Sequence, residues 1–190
     1  MKMKKLTYLL LVPVAMLSLV AFKPLAGKLI TKAAHINFFS HTTLEDITAN
    51  NYKVVSTLET TTGDVVFSVP MQSFEFEKAL MQEHFNSKDF LNTKDFPKAK
   101  FDGKITNIAD IDFTKDGVYE ANVSGNLTIK DITRPINEKG TITIKGGAVN
   151  AKTKFKLVLA DYGITFKKGK PSTNIAKEIE VTLNADYQPE

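Results

Sequence analysis

FSVPMQSFEFEKALMQEHFNSKDFLNTKDFPKAKF, residues 67–101, changes its periodicity twice, and its reading decides the fold. Val65, Phe67, Val69 and Met71 share one parity and Phe74 and Phe76 the other, as two period-two strands separated by a kink at Pro70 would place them. From Glu77 to Phe85 the spacing turns helical, with Leu80 and His84, and Met81 and Phe85, each four apart and so neighbours on a helix surface. Asn86 and Ser87 then turn the chain into a further strand that reaches Phe101. Seven of the chain's 13 phenylalanines fall in this stretch: Phe67, Phe74, Phe76, Phe85, Phe90, Phe96 and Phe101. That is more apolar surface than one hairpin needs, in a strand–helix–strand unit with a short helix at about residues 77–85.

On its C-terminal side the pattern is β throughout. Tyr119, Ala121, Val123, Gly125, Leu127 and Ile129 oppose Glu120, Asn122, Ser124, Asn126, Thr128 and Lys130, one dry face against one wet face of an antiparallel strand. Thr153, Phe155, Leu157 and Leu159 repeat this against Lys152, Lys154 and Lys156, and Ile179, Val181, Leu183 and Ala185 repeat it against Glu178, Glu180, Thr182 and Asn184. Turns are expected at Asp116–Gly117, Lys139–Gly140 and Gly146–Gly147. On the N-terminal side a first strand is expected over 35–41, then a polar connection over Asp46–Lys53, with a short helix over 45–51 as the other reading of that segment. A second strand follows over Tyr52–Glu59, and Thr60–Asp64, containing Gly63, makes a hairpin turn. About eight antiparallel strands result, and a barrel of that size is wide enough to hold one small ligand. Periodicity alone leaves barrel and sandwich open.

The chain has 190 residues. Three lysines within Met1–Lys5 precede Leu6–Phe22, which carries no charge, so residues 1–26 read as a secretory signal peptide and 27–190 as a single domain. Pro13 inside the apolar run disfavours a retained anchor helix. Cleavage after Ala21 or Ala26 fits, although neither has a small residue three positions upstream. Removal of Lys2, Lys4, Lys5 and Lys23 takes the formal net charge from +4 to neutral, so the exported domain has no general attraction for nucleic acid. With no cysteine there is neither a disulfide framework nor a lipoprotein attachment point. A periplasmic or secreted location is the expectation.

Little in the chain reads as catalytic. His35 and His41 are six apart in one strand, roughly 20 Å along it, too far to share an ion. No zinc-protease helix, nucleophile elbow or phosphate-cradling loop occurs. His84, with Glu83 and Asp89 near in sequence, reads as a residue packing the helix-to-strand turn, with a polar contact at a pocket mouth as the alternative and acid–base catalysis as a third. Arg134, the sole arginine, reads as the partner of an acid that fixes its turn, with a ligand head group as the other reading. The lysines at 152, 154 and 156, and the tip Lys167-Lys168-Gly169-Lys170, read as solvated surface that at most touches anionic lipid.

The segment His84-Phe85-Asn86-Ser87-Lys88-Asp89-Phe90, followed by Asp95-Phe96-Pro97 and Phe101, resembles the central signature of the YceI-like family of bacterial envelope proteins. Gly125-Asn126-Leu127-Thr128-Ile129 with Ile132-Thr133-Arg134-Pro135, and Asp161-Tyr162-Gly163-Ile164, fit the same family in order and spacing. The pattern departs at Met81-Gln82, where the family commonly has Arg-Asp, and at Asp131, often a glycine. The resemblance implies an antiparallel lipocalin-like β-barrel with a helix beside it, enclosing an apolar cavity for a polyisoprenoid, an isoprenoid quinone or a similar amphiphilic lipid. Its apolar lining is expected from Phe67, Phe74, Phe76, Leu80, Met81, Phe85, Phe90, Phe101, Leu127, Phe155 and Leu157, with His84 and Arg134 as polar groups at its mouth. No catalytic cofactor or metal is called for, and binding without catalysis is the expectation. Transient membrane contact and a homodimer stay open. So do a partner-binding envelope protein with a filled core and an enzyme acting on a lipid-like substrate through His84.

Overall fold

The computed structural model describes residues 27–165 and 175–190. The Lys167–Lys170 tip and the N-terminal segment 1–26 lie outside the described residues. Eight long strands close an antiparallel barrel: β1 (Lys28–His41), β2 (Asp46–Glu59), β3 (Asp64–Pro70), β5 (Lys98–Ile105), β6 (Gly117–Ile129), β7 (Ile132–Lys145), β8 (Ala148–Val158) and β9 (Glu178–Pro189). β9 pairs with β1 and β1 with β2, so the sheet closes on itself. A two-residue strand, β4 (Glu75–Phe76), adds to β2 beyond the end of β3, and α1 (Ala79–Asn86) follows it.

The expected unit at 67–101 is present, resolved more finely. β3 ends at Pro70, a single 3-10 turn occupies Met71–Ser73, and the parity then resets so that Phe74 is buried. The helix begins two residues later than the periodicity suggested because Lys78 is still extended. Its entry has no side-chain cap, its exit is closed by the Ser87 N–H and hydroxyl on the His84 carbonyl, and its one buried residue is Phe85. Such a short helix is not stable by propensity and depends on that docking.

Two expectations are corrected. Residues 46–53 are neither a polar connection nor a helix; they are the first half of β2, with Ile47, Ala49 and Asn51 buried in alternation. The misleading residue is Asn51, fully buried yet satisfied: its Nδ2 donates to the Pro70 carbonyl at 2.8 Å and its Oδ1 accepts from the Lys53 N–H at 2.9 Å. Lys139–Gly140 is not a turn but lies inside β7, where a Cβ on Gly140 would stand 2.6 Å from the Lys152 carbonyl oxygen. Glycine there permits close approach of β8. The β6–β7 hairpin instead turns at Lys130 and Asp131, both at positive φ, without any glycine.

Ladder lengths around the barrel are unequal. β6 pairs with β7 along its whole length, from Gly117 opposite Ile144 to Ile129 opposite Ile132, and β8 pairs with β9 from Val149 to Val158. β7 and β8 pair only where Gly140–Lys145 face Ala148–Thr153. Toward the other end the two strands run without a backbone ladder between them.

Candidate functional site

The inward parity of the strands is apolar, and the barrel is too wide for those side chains to fill it. Two adjoining chambers remain, with part of their lining in common. The larger, about 680 Å³, lies under α1 at the end of the barrel carrying the β1–β2 loop and the β6–β7 hairpin. The smaller, about 130 Å³, lies further in. Ile36, Val69, Leu127, Phe155 and Val181 border both and form the collar between them.

The expected lining residues divide between the chambers. Phe74, Phe76, Leu80, Met81, Phe85, Phe90 and Leu157 border the larger one, Phe67 and Phe101 the smaller, and Leu127 and Phe155 both. The outer wall is an aromatic cluster in which the Phe85 ring lies 5.0 Å from Phe76, 5.4 Å from Phe74, 5.9 Å from Phe38 and 6.2 Å from Phe90. Phe101 reaches inward because Gly103 and Gly125 face each other on adjacent strands, and a Cβ on Gly125 would stand 2.7 Å from its ring. Met81 borders the larger chamber, so this part of the wall is apolar.

Polar groups gather at the rim of the larger chamber. His84, Ser87, Asp89, Glu45 and Lys78 border it, and the Lys78 ammonium meets the Glu45 carboxylate at 2.9 Å, tying α1's entry to the β1–β2 loop. The hydrogen bond and then the charge of Glu45 hold Lys78 above the usual lysine range. The outer lips carry two exposed leucines, Leu44 and Leu80. Arg134 borders neither chamber. It is exposed, and its Nε donates to the Asp161 carbonyl at 3.1 Å, a backbone partner in place of the expected acid. Ile132 packs against Gly163 nearby, so two of the quoted motifs meet as one structural joint that seats the turn over Leu159–Tyr162 on β7.

The histidines on β1 have separate partners. His35 stacks on Tyr52 at 4.4 Å and bonds Asn50, whereas His41 bonds Asp46. Lys154 and Lys156 pair with Glu180 and Glu178 on β9, as an exposed face does. Sequence reasoning missed several lining residues: Phe38, Ile47 and Met71 in the larger chamber, and Glu138 in the smaller. The first could have been found from its shared parity with Ile36 along one strand. Glu138 could have been found from parity, since Ile136, Glu138, Gly140 and Ile142 alternate along one strand.

Comparison with known proteins agrees with this architecture. The YceI-like domain matches residues 28–187. A UPF0312 protein of Pseudomonas putida (strain W619) is 26% identical over 166 residues, covering 83% of this chain and 79% of that one. One of Shewanella denitrificans is 29% identical over 127 residues, 63% of this chain and 62% of its own length. Among solved structures, a polyisoprenoid binding domain from Saccharophagus degradans, implicated in plant cell wall breakdown, superposes with a TM-score of 0.73 at 12% identity, over 87% of this chain and 99% of that domain. BcnA of Burkholderia cenocepacia gives 0.67 at 16% identity, over 80% and 95%. At these identities the two structures speak to the fold. The match over 28–187, nearly all of the described barrel, carries the assignment: the chain belongs to the YceI-like family.

Proposed function

We propose that the protein is an exported lipid carrier or sequestering protein that holds one isoprenoid chain, such as a polyprenyl lipid or an isoprenoid quinone, in the barrel cavity. The observation that carries this reading is the cavity itself: two adjoining chambers of about 680 and 130 Å³, walled by phenylalanine, leucine, isoleucine and valine, with polar groups at the outer rim. A volume of this size is that of a ligand site, and flexible Met71 and Met81 suit a chain without a fixed shape. Burial at about 0.8 kcal/mol per methylene means that about ten buried carbons supply about 8 kcal/mol, a micromolar affinity before ordering costs. The binding of polyisoprenoid by the Saccharophagus degradans domain supports the same ligand class.

Binding needs no chemistry from the wall, and among the described residues the titratable groups that border the larger chamber are Glu45, Lys78, His84 and Asp89. The protein is therefore read as a binding protein and not an enzyme. An N-terminal segment with a lysine cluster and an uncharged run supports export, which fractionation of the native host would test directly. The binding reading is tested by titrating wild type and Phe90→Asp with farnesol. Wild type should bind, and the carboxylate placed in the aromatic wall should abolish binding while the barrel stays folded. Equal binding by both would refute the assigned cavity.

A further inference from the structure

The cavity has a packed inner end, and that end gives it a length. At the floor of the barrel Leu29, Ile111, Phe113, Ile144 and Val149 are buried and border neither chamber, so the space stops short of them at Leu58, Ile105 and Tyr187, which border the smaller chamber. The Tyr187 hydroxyl meets that of Ser56 at 2.6 Å, which fixes this inner wall. At the outer end the rim carries His84, Ser87 and Asp89. An amphiphile in such a space lies with its polar end at the rim and its tail toward the floor, because a polar end buried among apolar side chains would give up its water without gaining a partner.

The volumes set how much tail fits. An apolar cavity of about 150 Å³ takes one benzene, which is about 25 Å³ for each carbon. On that scale the larger chamber, about 680 Å³, has room for about 27 carbons, and the smaller, about 130 Å³, for about five, the carbon count of a single isoprene unit. The smaller chamber lies directly behind the collar of Ile36, Val69, Leu127, Phe155 and Val181, whose side chains border the larger one as well. Ala121 and Gly140, opposite each other on β6 and β7, both border it, and larger side chains there would fill it.

We propose that the closed inner end makes the cavity a gauge of chain length: it takes the tail of a polyprenyl lipid up to about six isoprene units, the last of them in the smaller chamber, and discriminates against longer chains. The inference rests on the lipid-binding reading and adds to it the size class of the ligand. For a chain taken from a bilayer, a unit that finds room in the cavity exchanges one apolar surrounding for another. Each unit left outside in water gives up the burial of its carbons, at least about tenfold in loading.

The test uses the full chain, expressed with its own N-terminal segment and purified after export. It is incubated with phosphatidylcholine vesicles that contain equal amounts of the polyprenyl alcohols with four, five, six and nine isoprene units, and then separated from them by flotation. The alcohols that remain with the protein are extracted and quantified by mass spectrometry. Wild type should carry the chains of up to six units in similar amounts and the nine-unit chain at least about tenfold less. Ala121→Phe places a ring in the smaller chamber and should lower the six-unit alcohol about tenfold, while the four-unit alcohol stays within about threefold of wild type. Should that variant not fold, Ala151→Phe, on the wall of the same chamber, gives the same readout. Nine-unit loading equal to six-unit loading in wild type, a wild-type profile that already falls at five units, or a phenylalanine variant with the wild-type profile would overturn the gauge while leaving the cavity reading intact. Absence of every alcohol from wild type would remove the cavity reading and the gauge together.

Discussion

Replacing Phe85 with alanine tests how the site is built. α1 is eight residues long, enters without a side-chain cap and buries one side chain, so beyond the Lys78–Glu45 pair at its entry and the Asn86–Thr93 bonds at its exit its position over the larger chamber depends on the Phe85 ring. That ring meets four others, Phe38, Phe74, Phe76 and Phe90, at centroid distances of 5.0 to 6.2 Å. Phe→Ala in a packed core costs about 3–5 kcal/mol, and aromatic pairs add about 0.5–1.5 kcal/mol each beyond the area they bury. Here the lower end applies, about 3 kcal/mol, because the side chain lines a chamber on one side and the cost of the undocked helix is local. The barrel ladders do not involve α1, so the variant should remain folded. Urea unfolding should show a loss of about 3 kcal/mol, hydrogen exchange over 79–86 should approach that of an unstructured segment, and farnesol affinity should fall at least about tenfold as the wall is lost. Exchange over 79–86 unchanged from wild type, with a stability loss below about 1 kcal/mol, would refute the claim that one ring holds the helix in place.

Further predictions follow from other parts of the barrel. The Tyr187 and Ser56 hydroxyls meet at 2.6 Å in the core, and burial pushes the Tyr187 phenol well above its ordinary range; Tyr187→Phe strands the serine and should cost about 1–3 kcal/mol by chemical denaturation, with Ser56→Ala adding little on top. Gly125→Ala puts a Cβ 2.5 Å from the Asp102 carbonyl oxygen and 2.7 Å from the Phe101 ring, and should cost about 1–3 kcal/mol by overpacking, read as a lower urea midpoint. Burial holds the Glu138 carboxyl above its usual range, so the folded state favours its neutral form. In the ligand-free protein, Glu138→Gln should therefore be more stable than wild type at neutral pH by at most about 1 kcal/mol, and the advantage should shrink as pH falls through the carboxyl range; a gap that widens on acidification would contradict this.

The sequence made the strands legible wherever one face was dry and the other wet, while their closure into a barrel was expected only from the family resemblance. β6, β8 and β9 alternate cleanly, and the strand–helix–strand unit declared itself by its change of period. What it hid was polar residues facing inward. Asn51 disguised the first half of β2 because its amide is satisfied by the Pro70 carbonyl, a tertiary contact with no local signature. Gly140 looked like a turn because a glycine that admits a neighbouring strand and one that bends the chain read alike without coordinates. Glu138 sat in plain alternation with Ile136 and Ile142, yet its charge hid its place in the lining of the smaller chamber. Arg134 was legible as a joint, but its partner is a carbonyl from 27 residues downstream, which spacing does not reveal.

The most direct measurement is native mass spectrometry of the protein exported by its host and purified without detergent, followed by solvent extraction of whatever it carries. The account predicts one long-chain isoprenoid lipid per barrel, released by solvent and taken up again on incubation. A protein that arrives empty and takes up neither quinone nor polyprenyl alcohol would contradict it and turn the reading toward a partner-binding envelope protein.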